Sequence, residues 1–199
     1  MKGCHPLIRY VGRFEKDDTE SVIDYKVNCS VEKLWHSIWH IFASITAYYL
    51  MKDEKWLPWY AGSNGQFSAG FENTPFTPMS VNNYYIGLVF LGYPLMQGVE
   101  HFFIEKRQED FIEMSLHHIT HICISFSYLM ANIIPFGAII AFLHDVSDIP
   151  IAVSKGLHMA GYSMPWSVVT FLFGQITWIF CRLICLPILI MEERALKYS

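Results

Sequence analysis

Apolar residues gather into five long runs separated by short polar breaks. The first predicted span is Leu34–Met51, LWHSIWHIFASITAYYLM. At about 1.5 Å of rise per residue it just crosses an apolar core of about 30 Å. Trp35, Trp39, Tyr48 and Tyr49 suit its ends as interfacial anchors, and Lys52 to Lys55 closes it with charge. The second span is Tyr84–Ile104, where Gly87, Gly92 and Gly98 permit close helix contacts and Pro94 is expected to kink the axis. A polar turn, Glu105 to Asp110, leads straight into the third span, Phe111–Ile134, so these two should form an antiparallel hairpin. Pro135 and Gly137 are expected to break the chain before the fourth span, Phe136–Val153. The fifth, Trp166–Met191, is long enough to tilt.

The flanks differ. Residues 1–32 are polar and mixed in charge, and predict a loosely ordered tail carrying at most a short interfacial helix. Residues 33–191 form the transmembrane domain, and 192–199 a short charged end. Between the first two spans, WLPWYAGSNGQFSAGFENTPFTPMS alternates glycine, proline and aromatics. Trp56 to Phe71 can dip into the membrane as a short or broken helix if protein surrounds it, and Asn73 to Pro78 predicts an extended loop. Lysine and arginine are spread too evenly over the loops to set an orientation. The expected fold class is an all-α integral membrane protein.

Composition agrees with that class. The 199 residues are 53% hydrophobic and only 16% charged, with a mean hydropathy of +0.28. The net charge of −4 and the lack of a basic run argue against nucleic acid as a partner. The first apolar run follows a long polar stretch without a small-residue cleavage site, so no signal peptide is expected. The five cysteines show no CxxC pair, and Cys181 and Cys185 share a helical face as small packing residues.

The chemistry concentrates in Asp110 to Asp148. The third span holds His117, His118 and His121, and the fourth holds His144, Asp145 and Asp148. Burying a charge in a membrane span costs about 2.5 kcal/mol or more, so such groups point to function. Asp110, Glu113, His117 and His121 fall on one helical stripe; Met114, His118, His121 and Ser125 form the next. If the third and fourth spans pack together, imidazoles and carboxylates converge in an apolar cavity. There a neutral imidazole can attack an activated acyl group, or take the proton from an attacking amine. A carboxylate on its far nitrogen would fix the tautomer.

Blander assignments compete. Polar groups also join helices by hydrogen bonds alone, the preferred assignment for His36 and His40, which have no carboxylate nearby in sequence. His5 and His158 are expected at the surface, Glu100 and His101 near the membrane interface. His36-x3-His40 and His117-His118-x2-His121 also have ligand spacing for iron, as in membrane hydroxylases, but nine histidines supply too few ligands beyond the surface ones, and no metal is expected.

DFIEMSLHH (110–118), SFSY (125–128), Gly137 and HDVSD (144–148) resemble the Lag1 motif of ceramide synthases, a branch of the TRAM–LAG–CLN8 (TLC) domain family. VEKLWHSIW (31–39), NYYIGLVFLGY (83–93) and CRLICLP (181–187) extend the resemblance over residues 30–191. It implies a ring of about five to six transmembrane helices around a lipid tunnel, in the endoplasmic reticulum membrane. It implies transfer of a fatty acyl group from acyl-CoA, as co-substrate and without a further cofactor, to a sphingoid base. By the same resemblance His117 and His118 match the essential pair, one of which bears or activates the acyl group. Asp145 and Asp148 would orient the histidines or assist the amine. Glu113, Tyr128, His144, Lys155 and Arg182 occupy supporting positions.

The chain departs from the family at Pro135, where arginine is usual, and at Ala152, where an acidic residue is usual. SFSY sits one residue early, and the family's additional first helix and extended C-terminal tail are expected to be missing. These departures keep a second class open, an inactive TLC-like lipid-binding or structural subunit of a larger membrane complex. Membrane lipids are partners on either alternative, and a homodimer is compatible with both.

Overall fold

A computed structural model describes residues 5–63, 65–72, 76, 80–103, 111–162, 165–189 and 191. The helices are α1 (His5–Val11), α2 (Glu20–Met51), α3 (Val81–Phe103), α4 (Phe111–Met130), α5 (Ile134–Met159) and α6 (Trp166–Ile179). Two 3-10 turns, Trp59–Ala61 and Phe67–Phe71, separate α2 from α3. After α6 the helix widens into a π-helical turn, Phe180–Cys185, and runs on to Leu189. Among the described residues there is no strand, only an isolated bridge between Pro58 and Gly65. The predicted turn Glu105 to Asp110, the charged end Glu192 to Ser199 and the predicted loop Asn73 to Pro78, Phe76 apart, lie outside the described residues.

Much of the apolar surface faces outward. On α2, Trp35, Ile38, Phe42, Ile45 and Tyr49 are exposed at helical spacing, while Ser30, Ser37, His40 and Ser44 are buried. Exposed apolar faces of this extent need a partner that is not water. Ile134–Met159 and Trp166–Leu189 are each long and apolar enough to cross a membrane.

The chain forms two compact units. The first contains Met1–Thr46 and Phe142–Ile188. Here α5 closes on α2 at Gly156, where a Cβ would stand 2.9 Å from Leu34 Cγ, and the buried Ser30 hydroxyl donates to the Gly156 carbonyl at 2.8 Å. On the other side of α5, a Cβ at Gly174 of α6 would meet Ile151 at 3.0 Å, and Ser154 donates to the Ser167 carbonyl at 3.0 Å. α1 is tied down by Arg9, which pairs with Glu20 and Asp24, and by Tyr162, whose hydroxyl donates to the Val11 carbonyl.

The polar N-terminal stretch is therefore more ordered than its hydropathy predicts. α2 starts at Glu20, well before the apolar run, because Val27, Ser30 and Val31 already present a buried face to the unit.

The second unit contains Ala47–Ala141 and Leu189–Ser199. α3 and α4 pack together, as the predicted hairpin requires. Gly98 faces Ile122 and Gly87 faces Leu129, an antiparallel register, whereas Gly92 meets nothing within 4 Å. Trp56, Leu57 and Phe67 of the irregular segment before α3 are buried, while Trp59 is exposed. The Phe67 and Phe71 rings pack on Phe136 with centroids 5.9 and 6.1 Å away.

The break between the third and fourth predicted spans falls earlier than expected. α4 stops at Met130, and Asn132, with φ of 53°, ends it in the left-handed conformation while Ile133 N–H caps the Tyr128 carbonyl. Pro135 lies in the first turn of α5, where its missing N–H costs nothing, and Gly137 lies inside the helix. A Cβ at Gly137 would come within 2.5 Å of the Tyr128 ring, so glycine there makes room for the aromatic.

Candidate functional site

In the second unit α4 carries the histidines. Its i, i+3, i+4 spacing turns His118 and Ser125 inward and leaves His117 exposed, with His121 half-buried. The His117 ring lies 5.7 Å from that of His118 and 6.0 Å from that of His121, centroid to centroid. The antiparallel register brings His101 of α3 against them. It is 5% exposed, and its centroid is 4.9 Å from that of His118.

One turn further along α4, a narrow cavity of about 30 Å³ is lined by His121, Ser125 and Tyr128 with Gly87, Ile134 and Gly137. Glu113 is exposed in the first turn of α4, and Asp110 lies outside the described residues. Tyr128 is half-buried, its ring edge-on to Phe136.

In the first unit the carboxylates of α5 have partners. Asp145 is buried, and its Oδ1 accepts from His40 Nδ1 of α2 at 2.8 Å. With the proton on Nδ1, His40 keeps Nε2 as its basic nitrogen. Asp148, three residues on, accepts from Arg182 Nη2 at 2.7 Å. Arg182 Nε also donates to Ser147 Oγ at 3.3 Å, and its guanidinium lies over the Trp178 ring at 5.5 Å. Arg182 reaches Asp148 from the π-helical turn, whose extra residue per turn re-aims the side chains that follow α6. His144 is half-buried and its carbonyl accepts from Ser147 Oγ at 2.9 Å; Lys155 is exposed. Cys181 and Cys185 are buried without a disulfide, as packing residues would be.

The predicted site residues thus divide. His117, His118, Glu113 and Tyr128 belong to the second unit, and His144, Asp145, Asp148, Lys155 and Arg182 to the first. Among the described residues no three His, Cys, Asp or Glu side chains are grouped to hold a metal ion.

Two residues acquire a place that sequence spacing did not assign. His40 lacks a carboxylate nearby in sequence, but one arrives from 105 residues away. His101 is buried in the hairpin; pairing α3 and α4 in antiparallel register sets it opposite Ser115 and His118, a signal available once the hairpin is drawn.

Comparison with known proteins gives a consistent result. The family model described as the TLC domain matches residues 30–198. Ceramide synthase hyl-1 of Caenorhabditis elegans is 24% identical over 82% of this chain and 42% of its own length. Ceramide synthase LOH1 of Arabidopsis thaliana is 24% identical over 90% of the chain and 59% of its own length. Ceramide synthase 3 of Homo sapiens is 24% identical over 96% and 47%. The chain spans about half the length of these curated relatives. No solved structure matches.

Proposed function

The chain belongs to the TLC-domain family of membrane proteins, on its ceramide synthase branch, and from that premise we propose that it is an N-acyltransferase moving a fatty acyl group from acyl-CoA to a sphingoid base. The observation that carries this is the His117–His118 pair on α4, one ring exposed and the other buried, with centroids 5.7 Å apart. The exposed His117 is the imidazole an acyl chain can reach. Its nitrogen attacks the thioester carbonyl, and the C–S bond breaks to give an acyl-imidazole and CoA, whose sulfur takes up the proton. The amine of the sphingoid base then attacks the acyl carbon, His118 accepts the amine proton and passes it to the departing nitrogen of His117, and release of the amide leaves both imidazoles neutral. In a direct variant the pair only deprotonates the amine, which attacks the thioester itself.

The carboxylates serve in the first unit. Asp145 fixes the tautomer of His40. Asp148 is assigned to the substrate ammonium, its charge moderated by Arg182. Glu113, His144, Tyr128 and Lys155 support substrate binding, and the protein resides in the endoplasmic reticulum membrane. Acyl-CoA supplied without amine tests the covalent route. A hydroxylamine-sensitive acyl adduct should appear on the α4 peptide and vanish in His117→Ala. Absence of both adduct and amide product, from folded protein, would refute the transferase.

A second function has one observation in its favour. Asp145 and Asp148 are each already engaged by a protein side chain, as they would be in a lipid-binding or structural subunit of a larger complex. Copurification in fixed stoichiometry with other chains, without acyl transfer, would select it.

A further inference from the structure

The cluster around His118 contains a residue that the transfer chemistry above does not use. His101 is buried at the end of α3, and among the described residues its Nε2 has Ser115 Oγ at 3.1 Å and the Phe111 carbonyl at 3.3 Å as polar neighbours. The Ser115 hydroxyl has a single proton and gives it to the same Phe111 carbonyl at 2.6 Å. It therefore meets His101 with a lone pair. Both neighbours of Nε2 are acceptors, so Nε2 carries the proton and donates. The hydrogen bond pins the edge of the ring, and Phe111 stacks on its face at 4.7 Å and 22°. A ring fixed at edge and face is a rigid wall, and His118 leans on it at 4.9 Å and 41°.

We propose that His101, oriented by Ser115 and the Phe111 carbonyl, is the positioning residue for His118: it holds that imidazole in one orientation while His117, next in sequence, stays open to the acyl group. This rests on the acyl-transfer function for its consequence in catalysis, but the packing it describes does not. α4 alone cannot distinguish the two adjacent histidines chemically; α3 does, by contributing a wall to one of them. The role belongs to the ring of His101, and the Nε2–H serves to hold that ring in place.

The variants separate these parts. His101→Ala removes wall and donor, His101→Phe keeps an aromatic wall without the donor, and Ser115→Ala removes the acceptor. In purified full-length chain that retains its native melting, His101→Ala should lower kcat about tenfold or more with KM for acyl-CoA within about twofold, since misorienting a reacting group acts on the chemical step. His101→Phe should recover most of that loss, and Ser115→Ala should fall between them.

A second readout needs no turnover. Diethyl pyrocarbonate acylates imidazoles directly, and peptide mass spectrometry gives the His118 to His117 labelling ratio. That ratio should change about fivefold or more in His101→Ala and stay within about twofold of native in His101→Phe. An unchanged ratio in His101→Ala, or an equal change in Ala and Phe variants, would overturn the proposal. If the native protein transfers no acyl group, the transferase function fails and the labelling ratio still decides the role of His101.

Discussion

Asp145 has a buried imidazole, that of His40, as its partner. His40 and Asp145 have side chains 11% and 12% exposed. Removing one member takes this hydrogen bond from the other inside the fold, at a cost of about 1–3 kcal/mol. His40→Ala and Asp145→Ala should each destabilise strongly, and the double variant should cost less than the sum. A double-mutant cycle in mixed-detergent unfolding should return a coupling of about 1 kcal/mol or more; additivity would mean the contact contributes nothing. At the polar N-terminus, Lys26 donates to Asp18 at 2.6 Å and holds its carboxyl below the usual 3.8. A lowered carboxyl pKa stabilises above the unfolded value and loses that effect as pH falls through the folded one. Amide protection at the start of α2 should therefore drop as pH falls below 3.8, and Asp18→Asn should remove the step. Neither pairing was legible in the sequence. Asp145 and Asp148 stood out because lipid disfavours them, but spacing along one helix cannot report a partner 105 residues away.

Helices were legible where hydropathy and structure obey the same boundary. α3 follows its predicted span closely, and α6 together with the π-helical turn after it covers most of Trp166–Met191, since lipid-facing apolar residues and helical ones coincide there, while α5 runs on past Val153 to Met159. Two boundaries moved for physical reasons. α2 extends back to Glu20 because a helix leaving an apolar layer keeps its backbone bonds while its outer face turns polar, which a hydropathy window reads as an end. The α4–α5 break shifted because proline suits a first turn as well as a break, and it was Asn132 that supplied the left-handed cap. The loop after α5 offers a sharper test. Gly161 has φ of 78°, and a Cβ there would collide with the Arg13 carbonyl. Gly161→Ala should destabilise by about 1 kcal/mol or more and loosen α1, read as faster proteolysis before Glu20. A neutral substitution would show that α1 docks by other means.

Among the described residues, many large apolar side chains face outward while serines, histidines and Asp145 are buried beside apolar ones, and the TLC family match places the protein in a membrane. It should stay in the membrane fraction through alkaline carbonate extraction; release into the supernatant would contradict the lipid-facing assignment of Trp35, Ile38, Phe42 and Ile45. The histidine pair and its family were legible from motif spacing alone, because adjacent imidazoles in an apolar helix are rare enough to be specific. Division of the site residues between two units was not, since spacing orders residues along helices and says nothing of how the chain partitions.

Acyl transfer itself is the most direct test. Purified protein in detergent, given sphinganine and acyl-CoAs of several chain lengths, should form N-acyl product, and His117→Ala with His118→Ala should abolish it without loss of folding. Product that survives both substitutions would contradict the imidazole mechanism, and folded native protein that forms none at any chain length would contradict the transferase function as a whole.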